Sequence, residues 1–292
     1  MDYKILDKGF KIPVIGLGTW GIGGLLDKDS SRDAESIQAI KNAINLGYTH
    51  IDTAELYGAG YTEELIGKAI KNVERSKLII TSKVFNTNLK YDDVIASCKK
   101  SLEKLQTNYI DIYLIHAPNP SIPLEETMRS MDYLVEQKII KFVGVSNFSV
   151  KEMIEAQRYS RNKIVVNQIP YNLATRNKDH RGNCINMESE IIPYCQKNAI
   201  VIMAYRPIER GFLLKPNSVL DGLSRKYSKT KVQIAINWLI SKKGIITISK
   251  STDIKHLKEN FGSFGWDLSD EDLNLLDKTE FENPHKPVPA IL

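Results

Sequence analysis

The chain has 292 residues, 42% of them apolar and 26% charged, and its net charge of +5 comes from Lys and Arg interspersed with acids. This is the composition of an ordinary globular protein, and it excludes fibrous and low-complexity classes. The mixed, weak charge implies no nucleic-acid partner. Apolar runs such as AIVIMAY fall far short of the roughly 20 residues that a membrane-spanning helix needs, and the start, MDYKILDKGF, has no apolar signal core. A cytoplasmic protein without a membrane partner is therefore expected. The three cysteines, Cys98, Cys184 and Cys195, have neither metal-ligand nor redox spacing, and Cys98 shares an apolar helical face with Val94, Ile95, Leu102 and Leu105.

In chain order, YKIL, DKG and FKIPV read as a small hairpin. Strands follow at residues 13–18, 49–54, 77–84, 110–117, 139–146, 164–169, 199–205 and 245–250. Helical patterns lie at 33–46, 62–71, 92–105, 125–137, 150–159, 188–198, 231–241 and 253–260. Ser149 with Glu152, and Ser269 with Asp272, form capping-box patterns; the second opens an additional helix with Leu273 and Leu276 on one face. KLIITSKV and IDIYLIHA are nearly continuous apolar runs, as expected of parallel strands covered on both faces. Eight strand–helix units favour a closed (β/α)8 TIM barrel, with an N-terminal β-hairpin and an extra C-terminal helix, filling residues 1–292 as one domain. A doubly wound open sheet is the alternative.

Gly16, Gly18 and Gly21 nominally match the dinucleotide pattern GxGxxG, but GIGGLLDKDSSRD continues as loop where that pattern needs a helix. Gly67 and Lys68 lack the spacing of a phosphate loop. More informative are the polar residues that terminate apolar strands: Asp52, then Lys83, then His116, with Tyr57 in the glycine-rich loop after Asp52. Singly, each reads as a solvated or satisfied residue. Jointly, they deliver an acid, a base, an imidazole and a phenol to the strand ends that usually floor an active site. An Asp52–Lys83 pair beside Tyr57 would favour the phenolate and lower its pKa, while His116 would hydrogen-bond a bound carbonyl. The histidines at 50, 116, 180, 256 and 285 are scattered, so no metal is expected. A second cluster follows the last two strands. Arg206 and Arg210 in AYRPIERG, with Lys250, Ser251 and Thr252 at a helix start, suit an anion. Between the clusters, Ser146, Asn147 and Gln168 suit a carboxamide, and Tyr205 offers a flat face.

The motifs GLGTW, THIDTAELYG, TSK, LIHAP, GVSNF, NQIPYN, AYRP and SKSTDIKHLKEN occur in the order found in aldo-keto reductases, which the chain resembles from the hairpin to about Asn260. The resemblance implies a catalytic tetrad of Asp52, Tyr57, Lys83 and His116, with Tyr57 as general acid in reduction. It implies an NADP cofactor across the barrel mouth, held by Gly18, Thr19, Trp20 and Asp52 near the tetrad and by Ser146, Asn147 and Gln168 at the carboxamide. Tyr205 would stack on the nicotinamide. Arg206, Pro207, Arg210 and Gly211 would follow the loop over it, and Lys250, Ser251, Thr252, His256, Glu259 and Asn260 would hold the adenosine end. His256 stands where relatives often have Arg, which weakens NADP preference and leaves NAD possible. The expected substrate is a small carbonyl compound, an aldehyde or a ketone, against Trp20, Tyr57 and His116, with Phe85 as a further aromatic wall. The loops after His116 and Tyr205 and the tail from Phe281 read as short, giving an open pocket. The polar segment at 174–187 either borders the cofactor or is solvated. A monomer is expected. A cofactor-binding regulatory module, like channel-associated subunits of the same fold, is the rival reading.

Overall fold

The computed structural model describes residues 1–178, 183 and 185–281. Cys184, His180, His285 and the tail beyond Phe281 lie outside the described residues. Strands β1 (Tyr3–Ile5) and β2 (Lys11–Pro13) form the expected antiparallel hairpin, with Lys4 opposite Ile12. Eight parallel strands then close into a barrel: β3 (Ile15–Gly18), β4 (His50–Asp52), β5 (Ile79–Val84), β6 (Ile110–Ile115), β7 (Ile140–Ser146), β8 (Ile164–Ile169), β9 (Val201–Tyr205) and β10 (Ile245–Ser249), which pairs back onto β3. Closure removes both sheet edges, so the open-sheet alternative is excluded. Leu6 and Ile12 of the hairpin pack with Ile112, Leu114, Met203 and Ile246 of the barrel interior. The N-terminal end of the barrel is thereby plugged with apolar side chains.

The outer ring consists of α1 (Asp33–Leu46), α2 (Tyr61–Ile70), α3 (Tyr91–Leu105), α4 (Leu124–Glu136), α5 (Val150–Tyr159), α6 (Ile192–Lys197), α7 (Ser218–Tyr227), α8 (Lys231–Ser241) and α9 (Ile254–Phe261), and α10 (Asp270–Lys278) follows. The start of the helix expected at 188–198 is a π-helical turn, Met187–Ile191. Helix α7 was not expected. Its Ser, Asp and Gly content reads as loop, but the Asn217 side chain caps the amides of Val219 and Leu220, and Leu220 and Leu223 are buried. The connection after β9 is accordingly long, not short, and also carries the 3-10 segment Glu209–Leu214. The Ser149–Glu152 capping box forms in both directions. The Ser269–Asp272 box forms only in part: Ser269 Oγ accepts from the Asp272 amide, but the Ser269 amide donates to the Tyr227 hydroxyl. Asp272 is drawn instead to Lys226 and Tyr227 of α7, the helix the sequence concealed.

The glycines of GLGTWG have a packing explanation. A Cβ on Gly16 would lie 2.5 Å from Nδ1 of the buried His50, and no helix starts between β3 and Asp33. His50 itself is a core residue: its Nε2 lies 2.9 Å from Thr81 Oγ1, and burial lowers its pKa to about 4. Cys98 and Cys195 are buried thiols whose pKa values burial pushes up to about 12, which suits packing rather than nucleophilic chemistry.

Candidate active site

The C-terminal end of β4 sets the site. The chain leaves the barrel wall at Asp52 and enters a 3-10 turn, Tyr57–Gly60, in which Gly58 has φ 56° and Ala59 φ 54°. Left-handed backbone at Gly58 comes with close approach, because a Cβ there would meet the Gly23 carbonyl oxygen at 2.6 Å. The loop between β3 and α1 holds this turn. Gly58 N–H donates to the Leu25 carbonyl at 2.8 Å, Thr62 Oγ1 donates to the Ile22 carbonyl at 2.5 Å, and the Tyr61 hydroxyl donates to Asp33. From the other side, Lys104 Nζ donates to the Ala59 carbonyl at 3.2 Å.

Inside this frame, Lys83 at the end of β5 is fully buried. Its ammonium donates to Asp52 Oδ2 at 2.8 Å, the Thr53 carbonyl at 2.7 Å and the Tyr57 hydroxyl oxygen at 3.2 Å, so all three of its donors are used. Gln168 Nε2 donates to the other Asp52 oxygen at 2.8 Å. The carboxylate is therefore fixed from both sides. Burial alone would lower the Lys83 pKa, but Asp52 and Tyr57 together outweigh it and raise the value. For Tyr57 the expected lowering does not prevail. Burial raises its pKa above the ordinary phenol value, and the Lys83 charge offsets only part of that rise. The phenol is thus protonated at neutral pH, as a proton donor must be. Trp20 meets the Tyr57 ring edge-on at 4.8 Å between centroids, and His116, 3% exposed, lies at 5.8 Å; Phe85 stands 6.2 Å from His116. The four residues expected to act together do meet at one point.

A cavity of about 360 Å³ opens over this point. Of the residues expected at a cofactor, Gly18, Thr19, Trp20 and Asp52 line it from the ends of β3 and β4, and Ser146, Asn147 and Gln168 from β7 and β8. Tyr205, Arg206, Pro207, Arg210 and Gly211 form the wall after β9, and Lys250 and Asn260 the far end. Asn147, with φ 61°, donates to the His116 carbonyl at 3.1 Å, and its Oδ1 accepts from the Tyr205 hydroxyl at 2.9 Å. Ser146, Asn147 and Tyr205 are therefore one bonded unit, because Asn147 Nδ2 also donates to Ser146 Oγ at 3.0 Å. Ser251, Thr252, His256 and Glu259 do not line the cavity. Ser251 Oγ accepts from the Asp253 amide at 3.0 Å, Glu259 is half-buried with its carbonyl accepting from Gln233, and His256 is exposed on α9, one turn before Asn260. Thr252 borders a separate groove of about 570 Å³, shared with Lys250 and with Lys28 and Arg32 of the β3–α1 loop. The expected anion cluster is thus divided between two hollows that meet at Lys250. Ile208, Ile248 and Ser249 also line the cavity and were not expected; the last two immediately precede Lys250 at a strand end, which was the readable signal. The described part of the 174–187 segment turns away from the cavity. Arg176 pairs with Glu188 at 2.9 Å and donates to carbonyls of α10.

The mouth fits an elongated anionic ligand. Partial burial and the neighbouring Arg206 lower the Arg210 pKa, and partial burial and Arg32 lower that of Lys250. Cations crowded in this way are relieved by a bound phosphate.

The sequence profile of the aldo/keto reductase family matches residues 14–280. The chain is 33% identical to methylglyoxal reductase YeaE of Escherichia coli, over 91% of this chain and 90% of that protein. It is 43% identical to a thermostable aldo-keto reductase solved with the inhibitor epalrestat, with a TM-score of 0.88 over 95% of this chain and 99% of the other. An aldo-keto reductase from Klebsiella pneumoniae solved with NADPH is 30% identical, with a TM-score of 0.84 over 98% of each chain. The chain belongs to the aldo/keto reductase family, and with it to the NADP(H)-dependent oxidoreductases that reduce carbonyl groups.

Proposed function

We propose that the protein reduces small aldehydes to alcohols, 2-oxoaldehydes among them and ketones more slowly, with Tyr57 as general acid. The observation that carries this reading is the buried Lys83 ammonium, held between Asp52 and the Tyr57 hydroxyl oxygen beneath the cavity. NADPH, when bound, supplies the hydride. Ser146, Asn147 and Gln168 would hold its carboxamide, Tyr205 its nicotinamide face, and Arg206, Arg210 and Lys250 its phosphates. NAD(H) is the weaker second cofactor, because His256 offers less to a phosphate than Arg would.

His116 orients the carbonyl oxygen, and Tyr57 gives the proton on its Oη to that oxygen. The Tyr57 oxygen already accepts from Lys83, so its own proton is free to turn to the substrate. The phenolate left behind is stabilised by the Lys83 ammonium, which Asp52 keeps charged and in place. Trp20 gives the pocket an aromatic wall that excludes water from the reacting oxygen, whereas Phe85 stands beside His116 outside the lining of the cavity. The likeness to a methylglyoxal reductase supports a compact substrate.

We further propose a cytoplasmic monomer; the buried free thiols Cys98 and Cys195 suit a reducing compartment. Oxidation of NADPH by the purified protein across a panel of short aldehydes, aromatic aldehydes and methylglyoxal tests the activity, with Tyr57→Phe as the control. No turnover above that control would remove the enzymatic reading and leave a regulatory cofactor-binding module. Light scattering tests the monomer.

A further inference from the structure

The groove beside the mouth has no role in the chemistry above, yet it shares Lys250 with the cavity that does. We propose that Arg32, at the end of the β3–α1 loop, is a specificity-determining residue for the 2′-phosphate of NADP, acting with Lys250 across the groove. The proposal rests on the NADP(H) chemistry of the family and goes beyond it in assigning selectivity to this loop rather than to α9.

Three observations lead there. First, a cofactor with its nicotinamide at Tyr57 and His116 must place its other end toward Lys250 and Asn260, because the cavity runs in that direction. The hollow that continues from Lys250 is the Arg32 groove, whereas His256 lines neither hollow. Second, Arg32 and Lys250 border the same groove, where partial burial and then the Arg32 charge lower the Lys250 pKa. Asp27, Asp29 and Glu35 also border the groove, so it is not cationic as a whole. Asp29 is turned to the Ser31 amide at 2.9 Å, and Glu35 to Arg32. Third, that Arg32–Glu35 pair is 70% and 63% exposed, and exposed pairs contribute little. Glu35 occupies the Nε and Nη2 donors and leaves Nη1 of the guanidinium fork for another acceptor. The loop is also fixed before any ligand arrives, since the Asp29 amide donates to the Gly23 carbonyl at 2.8 Å and the same loop clamps the Tyr57 turn. A residue carried on a fixed loop loses less freedom on binding a phosphate than one carried on a mobile loop.

The test is a set of dissociation constants for NADP+ and NAD+, read by quenching of tryptophan fluorescence, together with adenosine 2′,5′-bisphosphate and 5′-AMP by calorimetry. Arg32→Ala should weaken NADP+ and the bisphosphate about ten- to a hundredfold, the range for hydrogen bonds to charged groups. It should leave NAD+ and 5′-AMP within about twofold. Arg32→Lys should restore part of the loss, and Glu35→Gln, by releasing the fork, should tighten NADP+ alone. Equal weakening of both dinucleotides would make Arg32 a loop-structural residue and overturn the proposal. So would an unchanged Arg32→Ala alongside a His256→Ala variant that abolishes the preference. If wild type bound neither dinucleotide, the cofactor chemistry itself would fall, and the Arg32 assignment with it.

Discussion

Strand β5 separates two buried carboxylates that share a depth and differ in everything else. Lys83 points into the barrel, where its ammonium and the Gln168 amide hold Asp52, 1% exposed. Ser82, one residue earlier and on the opposite face, points out to α2 and donates to Glu63 Oε1 at 2.6 Å. Glu63 is fully buried, and burial pushes its pKa up to about 7 against the hydroxyls of Ser82 and Ser101 and the more distant charge of Lys104, with Glu55 adding to the rise. A carboxylate taken from water must find a positive partner or a proton. Inside the barrel the partner is an ammonium, 2.8 Å from Asp52 Oδ2. Outside it only hydroxyls touch the carboxylate, and the proton is taken instead.

Breaking the inner pair should have the largest effect. Lys83→Met leaves Asp52 buried without its ammonium and should cost about 3–5 kcal/mol of stability, read as a lowered Tm, in addition to abolishing turnover. A variant as stable as wild type would mean that Asp52 does not depend on Lys83. Tyr57→Phe separates chemistry from the pair. It should lower kcat by about 10²- to 10⁴-fold with cofactor affinity nearly intact. Retention of more than about a third of wild-type turnover, with chemistry rate-limiting, would take the acid role away from Tyr57.

The inner site was legible because it is made of exceptions. Asp52, Lys83 and His116 each end an apolar strand, and a polar residue at such a place has few structural reasons to be there. Glu63 carried no such mark. In TEELIG it stands beside Glu64 at the start of a helix, where carboxylates are common, and only the packing of α2 on β5 and α3 buries it. The barrel was legible for the same reason as the tetrad, since eight apolar runs alternate with amphipathic ones. Helix α7 was not, because its stability comes from contacts distant in sequence: Leu220 and Leu223 in the core, and Lys226 and Tyr227 on Asp272. His256 was placed at the adenosine end by motif order alone. The structure places it on α9 one turn before Asn260, exposed and outside the lining of the cavity, and motif order cannot show how far along a helix a cavity reaches.

Neutralising the outer carboxylate should give a smaller effect of a different kind. The folded pKa of Glu63, about 7, lies above the ordinary value of 4.5, so between those values the folded state binds the extra proton. Stability is then complete below about pH 4.5 and falls as pH rises through 7, by on the order of 3 kcal/mol over the whole window. Buried His50 acts with the opposite sign, because its pKa of about 4 lies below its ordinary 6.5 and stability is lost as pH falls through that range. Wild type alone would therefore show little slope between pH 5 and 6.5. Measured against Glu63→Gln, which keeps the shape and removes the titration, the His50 contribution is common to both proteins and drops out. Urea denaturation at pH 5, 6.5 and 8 should show wild type losing about 2–3 kcal/mol relative to Glu63→Gln. Parallel curves would mean that Glu63 does not titrate in this window.

The smallest change sharpens the contrast most, because Ser82 touches only the outer carboxylate while its neighbour Lys83 serves the inner one. In Ser82→Ala the Glu63 carboxyl loses its 2.6 Å donor, and the loss depends on whether a proton is already present. Hydrogen bonds to charged groups contribute about 1.5–3 kcal/mol and neutral ones about 0.5–1.5 kcal/mol. The variant should therefore cost about 1 kcal/mol at pH 5, where Glu63 is protonated, and about 2 kcal/mol at pH 8. That pH dependence corresponds to a further upward move of the Glu63 pKa by roughly a unit. Turnover at pH 7 should stay within about twofold of wild type, since alternate residues of a strand face opposite sides and the Lys83 contacts are untouched. A large loss of kcat with little change in stability would mean that the two carboxylates are coupled through β5, and the barrel wall would then connect the sites that it separates in this structure.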